Sequence, residues 1–202
     1  DRRGEMYGMP FEVFLAPGIL MMNVVQNAFA NTSSSVLIAK VQGNIVHTLM
    51  PPLRAGEMLV GYVAGGVARG MICAGAIAVV VFPAVGAGLA HPLWALWFVF
   101  AASAILSLVG LLVGIYAEKF DQMAAITNFI VTPLSFLSGT FYSIEVLPGA
   151  FQTVSHLNPV FYMIDGFRYA VLGTGDTSPW TGFVVTLGLI AVLAVIGFFT
   201  SG

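Results

Sequence analysis

Asparagine recurs in one apolar stretch of this chain at a spacing that permits hydrogen bonding and little else. Asn23, Asn27, Asn31 and Ser34 step by four, four and three residues, so a helix brings all four to one face. Amides and hydroxyls donate and accept hydrogen bonds without carrying charge at neutral pH. Such a row is either the wall of a hydrated pathway or hydrogen-bonding glue between helices. A second polar row, Asn128, Thr132 and Ser135, leads to Gly139 one turn on and contains Pro133, which predicts a bend. The sharpest single residue is Arg69, twelve positions after Glu57, which is about 18 Å along a helix. Covalent chemistry has no candidates. His47, His91 and His156 are scattered, and Cys73 has no cysteine partner for a disulfide or a thiolate metal site. No H-E-x-x-H, G-x-S-x-G or C-x-x-C motif occurs, and there is no G-x-x-x-x-G-K-[ST] loop with which to bind ATP.

The elements that must position these residues are membrane spans. The chain is 58% hydrophobic and 8% charged, against about 25% charged in soluble domains, so too few charges remain to cover a soluble surface. Five apolar stretches are predicted to cross a bilayer: Phe11–Leu37, Met58–Phe82, Leu93–Tyr116, Met123–Phe141 and Trp180–Phe199. The expected fold is an all-α polytopic transmembrane bundle. A net charge of −2 leaves no basic footprint for nucleic acid. The chain begins at Asp1 and stops directly behind an apolar span, so residues 1–202 read as one membrane domain cut at both ends.

Alternation of spans puts the loops Lys40–Glu57 and Ala117–Gln122 on one side. Asp1–Pro10, Pro83–Pro92 and Tyr142–Pro179 fall on the other. Lys40, Arg54 and Lys119 then face Arg2, Arg3 and Arg168, a tie that leaves the orientation open. Tyr142–Pro179 is punctuated by Pro148–Gly149, Asn158–Pro159 and Gly173–Gly175, which predicts short interfacial or re-entrant helices over Ala150–Leu157 and Phe161–Leu172. Asn158 is placed to cap the second, with Pro159 in its first turn. In the Lys40–Glu57 loop, Gln42–Leu49 is expected to form a short surface helix ended by Pro51–Pro52, with Arg54 and Glu57 opening the next span. It reads as a docking knob or as a plain interfacial connector. Small-residue stripes at Ser103, Ser107, Gly110 and Gly114, and the pairs Gly61–Gly65 and Gly66–Gly70, predict close helix packing. At the bilayer centre an unpaired Arg69 costs at least about 2.5 kcal/mol, so it should face the bundle interior, water or an acceptor.

Three stretches together resemble a known family. They are FLAPGILMMNVVQNAFANTSSS, NIVHTLMPPLRAGEMLVGYVAGGVARG and SGTFYSIEVLPGAFQTVSHLNPVFYMIDGFR. The third carries Ser138, Gly139, Leu147, Pro148, Pro159, Tyr162 and Arg168 in family order, with Val160 a minor departure. The chain resembles the membrane subunit of bacterial type-2 ABC exporters, whose branches carry drugs, surface polysaccharides and nodulation factors. The resemblance implies six helices in the intact protein, and so one before Asp1. It makes Gln42–Leu49 a cytoplasmic coupling helix, with Gln42, Asn44, His47, Leu49, Arg54 and Glu57 as its ATPase-coupling residues. Tyr142–Pro179 becomes an external re-entrant region. Two permease copies and a separate ABC ATPase, which would hold ATP and Mg, would complete a transporter in the bacterial inner membrane, leaving this chain with no cofactor of its own. Pathway or gate candidates are then Asn23, Asn27, Asn31, Ser34, Arg69, Asn128, Thr132, Ser135 and Arg168. A self-contained channel or secondary transporter is the alternative reading, but no mid-span Asp or Glu offers it a proton relay.

Overall fold

Inside a bilayer no water is available to satisfy backbone polar groups, so a long apolar segment must close its hydrogen bonds within itself as a helix. Four segments of the computed structural model, which describes residues 5–6, 8–43 and 54–201, do so at spanning length. They are α1 (Phe11–Val41), α2 (Ala55–Val85), α3 (Pro92–Tyr116) and α8 (Pro179–Ser201). A two-residue hairpin, Glu5–Met6 against Met9–Pro10, precedes α1. The fourth predicted span, Met123–Phe141, is shorter than expected and irregular. It divides into α4 (Phe120–Ile126), a π-helical turn (Thr127–Val131) and α5 (Thr132–Phe136). The π turn lies directly before Pro133, which has no N–H for the preceding turn and would crowd it in a regular α-helix. The irregularity thus has the proline as its cause.

The segment Tyr142–Pro179 holds the two short helices expected of it. A 3-10 turn (Ile144–Val146) leads into α6 (Gly149–Leu157) and α7 (Pro159–Leu172). The Asn158 carboxamide oxygen accepts from Val160 N at 3.0 Å, and Pro159 opens the helix that this caps. At fourteen residues, α7 is about 21 Å long, too short to cross.

Helix α3 is the central post. Its most apolar window is 72% buried, against 17% for α2 and for α8, which therefore lie outside it. The core joins Leu20, Val24, Ala28 and Phe29 of α1 to Phe98, Ala102 and Ile105 of α3 and to Met163, Ile164 and Phe167 of α7. At one end of the bundle, Trp94 meets Trp180 edge-on at 5.1 Å and Trp97 donates to Thr186 Oγ1. Indole rings at a membrane–water boundary keep an apolar body in lipid and a polar N–H in reach of a partner.

The ends of the helices confirm which loops share a side. The ammonium of Lys40, at the end of α1, donates to Ile115 O at 2.6 Å and Ala117 O at 2.8 Å at the end of α3. Beside them, Gly56 and Leu59 of α2 approach Phe198 and Gly197 of α8. At the opposite end, Ala90 and His91 donate their N–H groups to Val171 and Ala170 of α7.

The small-residue stripes divide. A Cβ on Gly66 would lie 2.0 Å from Ser107 Oγ, and one on Gly70 2.1 Å from Ser103 Oγ, so these glycines let α2 rest on α3. The two serine hydroxyls are buried without a hydrogen-bond partner among the described residues, so they serve here as small packing groups. Gly110 and Gly114 likewise admit the backbone of α1. The pair Gly61–Gly65 packs against nothing closer than Asn31 Nδ2 at 3.9 Å and lies on an open face. Replacing Gly66 or Gly70 with Val should force α2 away from α3, at a cost of about 1–3 kcal/mol each. Thermal unfolding in detergent should show the loss, whereas Gly61→Val should leave the melting temperature nearly unchanged.

Candidate functional site

One edge of α1 is left uncovered along the middle of the bundle, and it is the polar one. Asn23, Gln26, Asn27, Asn31, Ser34 and Ser35 are all half-buried, while their neighbours Val24, Val25, Ala28, Phe29, Thr32 and Ser33 are buried. The helix itself satisfies part of the row. Asn23 Nδ2 donates to Ile19 O at 2.9 Å and Asn27 Nδ2 to Asn23 O at 3.0 Å, and Ser34 Oγ returns to Ala30 O. The four predicted residues therefore share one face, as their spacing required.

Arg69 joins this face from α2. It is exposed, and its guanidinium donates to Asn31 Oδ1 at 3.3 Å. Of the environments open to it, the structure gives it a neutral acceptor and an open side rather than the bundle interior. The other flank of α2 has the opposite chemistry. There Val63, Ala64, Val67 and Ala68, with Phe100, Ala104 and Ile190, line a cavity of about 440 Å³ with almost no polar surface. One helix thus separates a polar groove from an apolar one.

The second polar row does not stay together. Asn128 is exposed, Thr132 is half-buried and Ser135 is fully buried, donating to Val131 O at 2.8 Å. The spacing 128, 132, 135 assumes 3.6 residues per turn, and the π turn winds more residues into its turn. The added residue rotates Ser135 into the bundle. Among the aromatic residues, Phe14 and Phe29 belong to the core, whereas Phe129 is 80% exposed and Phe136 stacks on Phe141 at 5.3 Å, both exposed.

Arg168 lies inside the protein, 1% exposed. Its Nη2 donates to Gly139 O at 2.7 Å and Thr140 O at 3.3 Å, and its guanidinium stands 4.0 Å from the centre of the Phe14 ring. Gly18 makes room for this, because a Cβ there would meet Thr140 O at 2.6 Å. Arg168 is one of several clasps on the same segment. Asn158 Nδ2 donates to Leu134 O and Ser138 Oγ at 2.9 Å, Ser155 Oγ to Leu137 O at 3.2 Å, and Thr140 Oγ1 to Ser135 O at 2.7 Å. Every one secures a carbonyl or hydroxyl at or just beyond the end of α5, where the regular backbone hydrogen bonds run out. A further link ties α7 to the loops beyond it. The Asp165 carboxylate accepts from Asp176 N and from Thr177 N and Oγ1, and Asp176 in turn accepts from Ser143 Oγ and Ile144 N. Burial pushes the Asp165 carboxyl above its ordinary range, opposed by the hydrogen bonds from Thr177 and Asp176. Sequence reasoning placed neither Asp165 nor Asp176 at the site, since nothing in the spacing of the two carboxylates links them to Ser143.

Of the expected coupling residues, Asn44, His47 and Leu49 lie outside the described residues. Gln42 and Arg54 are exposed at the end of α1 and the start of α2, and Glu57 reaches back to Arg54 N at 2.9 Å, completing the expected helix start.

Four long apolar helices packed with a set of shorter ones define an all-α, multi-pass membrane protein. The family model for the ABC-2 type transporter matches residues 4–172, and the chain belongs to that family. It is 38% identical over 195 residues to the inner membrane transport permease YadH of Escherichia coli (strain K12), covering 96% of this chain and 75% of that protein. It is also similar to nodulation protein J of Sinorhizobium fredii, at 25% identity over 98% of this chain and 74% of that protein. Nodulation protein J of Rhizobium leguminosarum bv. viciae is 26% identical over 98% and 75%.

The clasp makes a graded prediction. Asn158→Asp keeps the acceptor for Val160 N but loses the donor to Leu134 O, whereas Asn158→Ala loses both. Both should lower stability, by about 1–3 kcal/mol for a buried group left without a partner. Thermal unfolding reads this directly. An Asn158→Asp protein as stable as the unaltered one would leave the clasp without energetic weight.

Proposed function

We propose that this chain is the permease subunit of an ATP-driven exporter in the bacterial inner membrane, working as two copies with a separate ABC ATPase. The cargo is a drug-like, lipid-linked or saccharide molecule, and it passes along the polar edge of α1. The observation that carries this reading is that edge itself. Asn23, Asn27, Asn31 and Ser34 are only half-buried along the middle of a helix of spanning length, with exposed Arg69 beside them. Polar groups left facing lipid there are costly, so a second protein surface or water has to meet them. A second copy set face to face by a two-fold axis would supply both, closing a wet pathway between two identical polar walls. Exposed Phe129 and the Phe136–Phe141 stack offer flat apolar surfaces that such a pathway could use.

The permease named YadH and the family membership favour export by an ABC system. ATP and Mg would sit on the ATPase, since this sequence has no P-loop. The connector after Lys40 is the natural site of coupling. Lys40 grips the end of α3 immediately before α4, so a push on the connector reaches the helix that carries the π turn and Asn128. The clasped end of α5 is the corresponding outer gate. Transport then needs two bundle arrangements that nucleotide binding favours unequally.

Cross-linking tests the pathway. With Cys73→Ala as background, Asn23→Cys should give a covalent dimer with a short bifunctional thiol reagent in membranes. Val192→Cys, on the exposed side of α8, should not. A dimer through Val192→Cys with none through Asn23→Cys would move the interface and defeat the reading. Coupling is tested separately. The double change His47→Asp and Leu49→Asp should abolish transport while the permease still reaches the membrane. Normal transport with normal ATPase co-purification would remove the connector from the coupling role.

A further inference from the structure

Arg69 stands one residue from the middle of the 31-residue α2, so its charge lies near the centre of the hydrocarbon core. A cation at that depth is retained only where something answers it. What answers it here is incomplete. Its hydrogen bond to Asn31 Oδ1 is to a neutral acceptor. No carboxylate among the described residues salt-bridges it, and the only acidic residues of the spanning helices, Glu12 and Glu57, belong to first turns. Glu57 is about 18 Å away along the same helix. Nor is the guanidinium packed into a wall. It is exposed, and a Cβ at Gly65 would meet only Asn31 Nδ2 at 3.9 Å, while one at Gly61 would meet nothing within 4 Å. Cation, polar edge and open space therefore coincide on one face.

We infer that the open face around Arg69 is an anion-binding site, which takes a carboxylate, sulfonate, sulfate or phosphate carried by the transported molecule. The inference rests on the pathway reading above and narrows its cargo to molecules with an acidic group. A guanidinium suits such groups because its planar fork matches their paired oxygens. The head groups of resident lipids lie about 15 Å away, at the surface of a core about 30 Å thick, so the bilayer itself does not furnish the anion. Asn31 holds the guanidinium toward the groove through its carboxamide oxygen and so acts as a positioning residue.

Charge-selective labelling tests this in membranes containing the full chain. Asn27, one helical turn from Asn31, is replaced by Cys in the Cys73→Ala background. Its modification rates are measured with two probes of similar size, the anionic sulfonatoethyl methanethiosulfonate and the cationic trimethylammonioethyl methanethiosulfonate. Both rates are normalised to those of a Cys at Gly88 in the loop between α2 and α3. With Arg69 present the anionic probe should be favoured by roughly fivefold or more, the scale of one fixed charge near a reacting group in a poorly screened groove. Arg69→Gln should remove the preference and Arg69→Lys should retain it. An unchanged preference in Arg69→Gln would overturn the anion site while leaving the pathway standing. Failure of both probes to reach Asn27→Cys would overturn the pathway and the site together. Should Arg69→Gln fail to accumulate, competition decides the matter with Arg69 in place. Excess naphthalenesulfonate should slow labelling severalfold where neutral naphthalenemethanol does not, and equal effects would overturn the site.

Discussion

A helix that stops inside a membrane protein leaves its last carbonyls with no water to bind, and the fold is arranged around the place where this happens. The segment α4–π–α5 ends at Phe136, and the carbonyls of Leu134, Ser135, Leu137, Gly139 and Thr140 follow one another there. Each is taken by a side chain, from Asn158, Thr140, Ser155 and Arg168. The same side chains fix the course of α6 and α7, so the re-entrant region is defined by what the broken helix lacks. Arg168 adds a contact with the Phe14 ring, which ties the arrangement to the first turn of α1.

From that fixed end the rest of the bundle follows. With α7 held against α1, the core side chains Met163, Ile164 and Phe167 meet Leu20, Val24 and Phe98. Central α3 then takes α2 on one side through Gly66 and Gly70, and α8 on another through the tryptophan cluster. At the far end Lys40 satisfies two carbonyls of the α3 terminus. The bundle is therefore secured by polar clasps at both ends and by small-residue packing between them. Apolar burial cannot do that work in lipid, where the surroundings are as apolar as the side chains.

This packing leaves one polar edge without cover, and the proposed transport pathway runs along it. Coverage of α1 by α2, α3 and α7 stops at the edge that carries Asn23, Asn27, Asn31 and Ser34. The π turn lies in the middle of the neighbouring segment, between a clasped end and an end adjoining Lys40. Under the proposed transport reading, the clasped end would act as the gate and the Lys40 contact as the strut through which motion reaches it.

Much of this was legible in the sequence because it depends on composition and period. Four of the five apolar runs of about 20 residues form helices of spanning length. The row 23, 27, 31, 34 shares a face because α1 is regular there, and Asn158–Pro159 starts a helix by local chemistry alone. Tertiary structure decided what local rules cannot reach. A proline changed the winding upstream of itself and sent Ser135 inward while Asn128 stayed outside, so one row became two environments. Gly66 and Gly70 were read correctly as packing residues, but the same motif at Gly61 and Gly65 faces open space, because small-residue spacing does not say which face has a partner. The two arginines divided in the same way. Arg69, mid-span in the sequence, is exposed, and Arg168, in a predicted loop, is buried, because a charge goes where its acceptors are and the carbonyls of Gly139 and Thr140 exist as a pair only once the chain has folded.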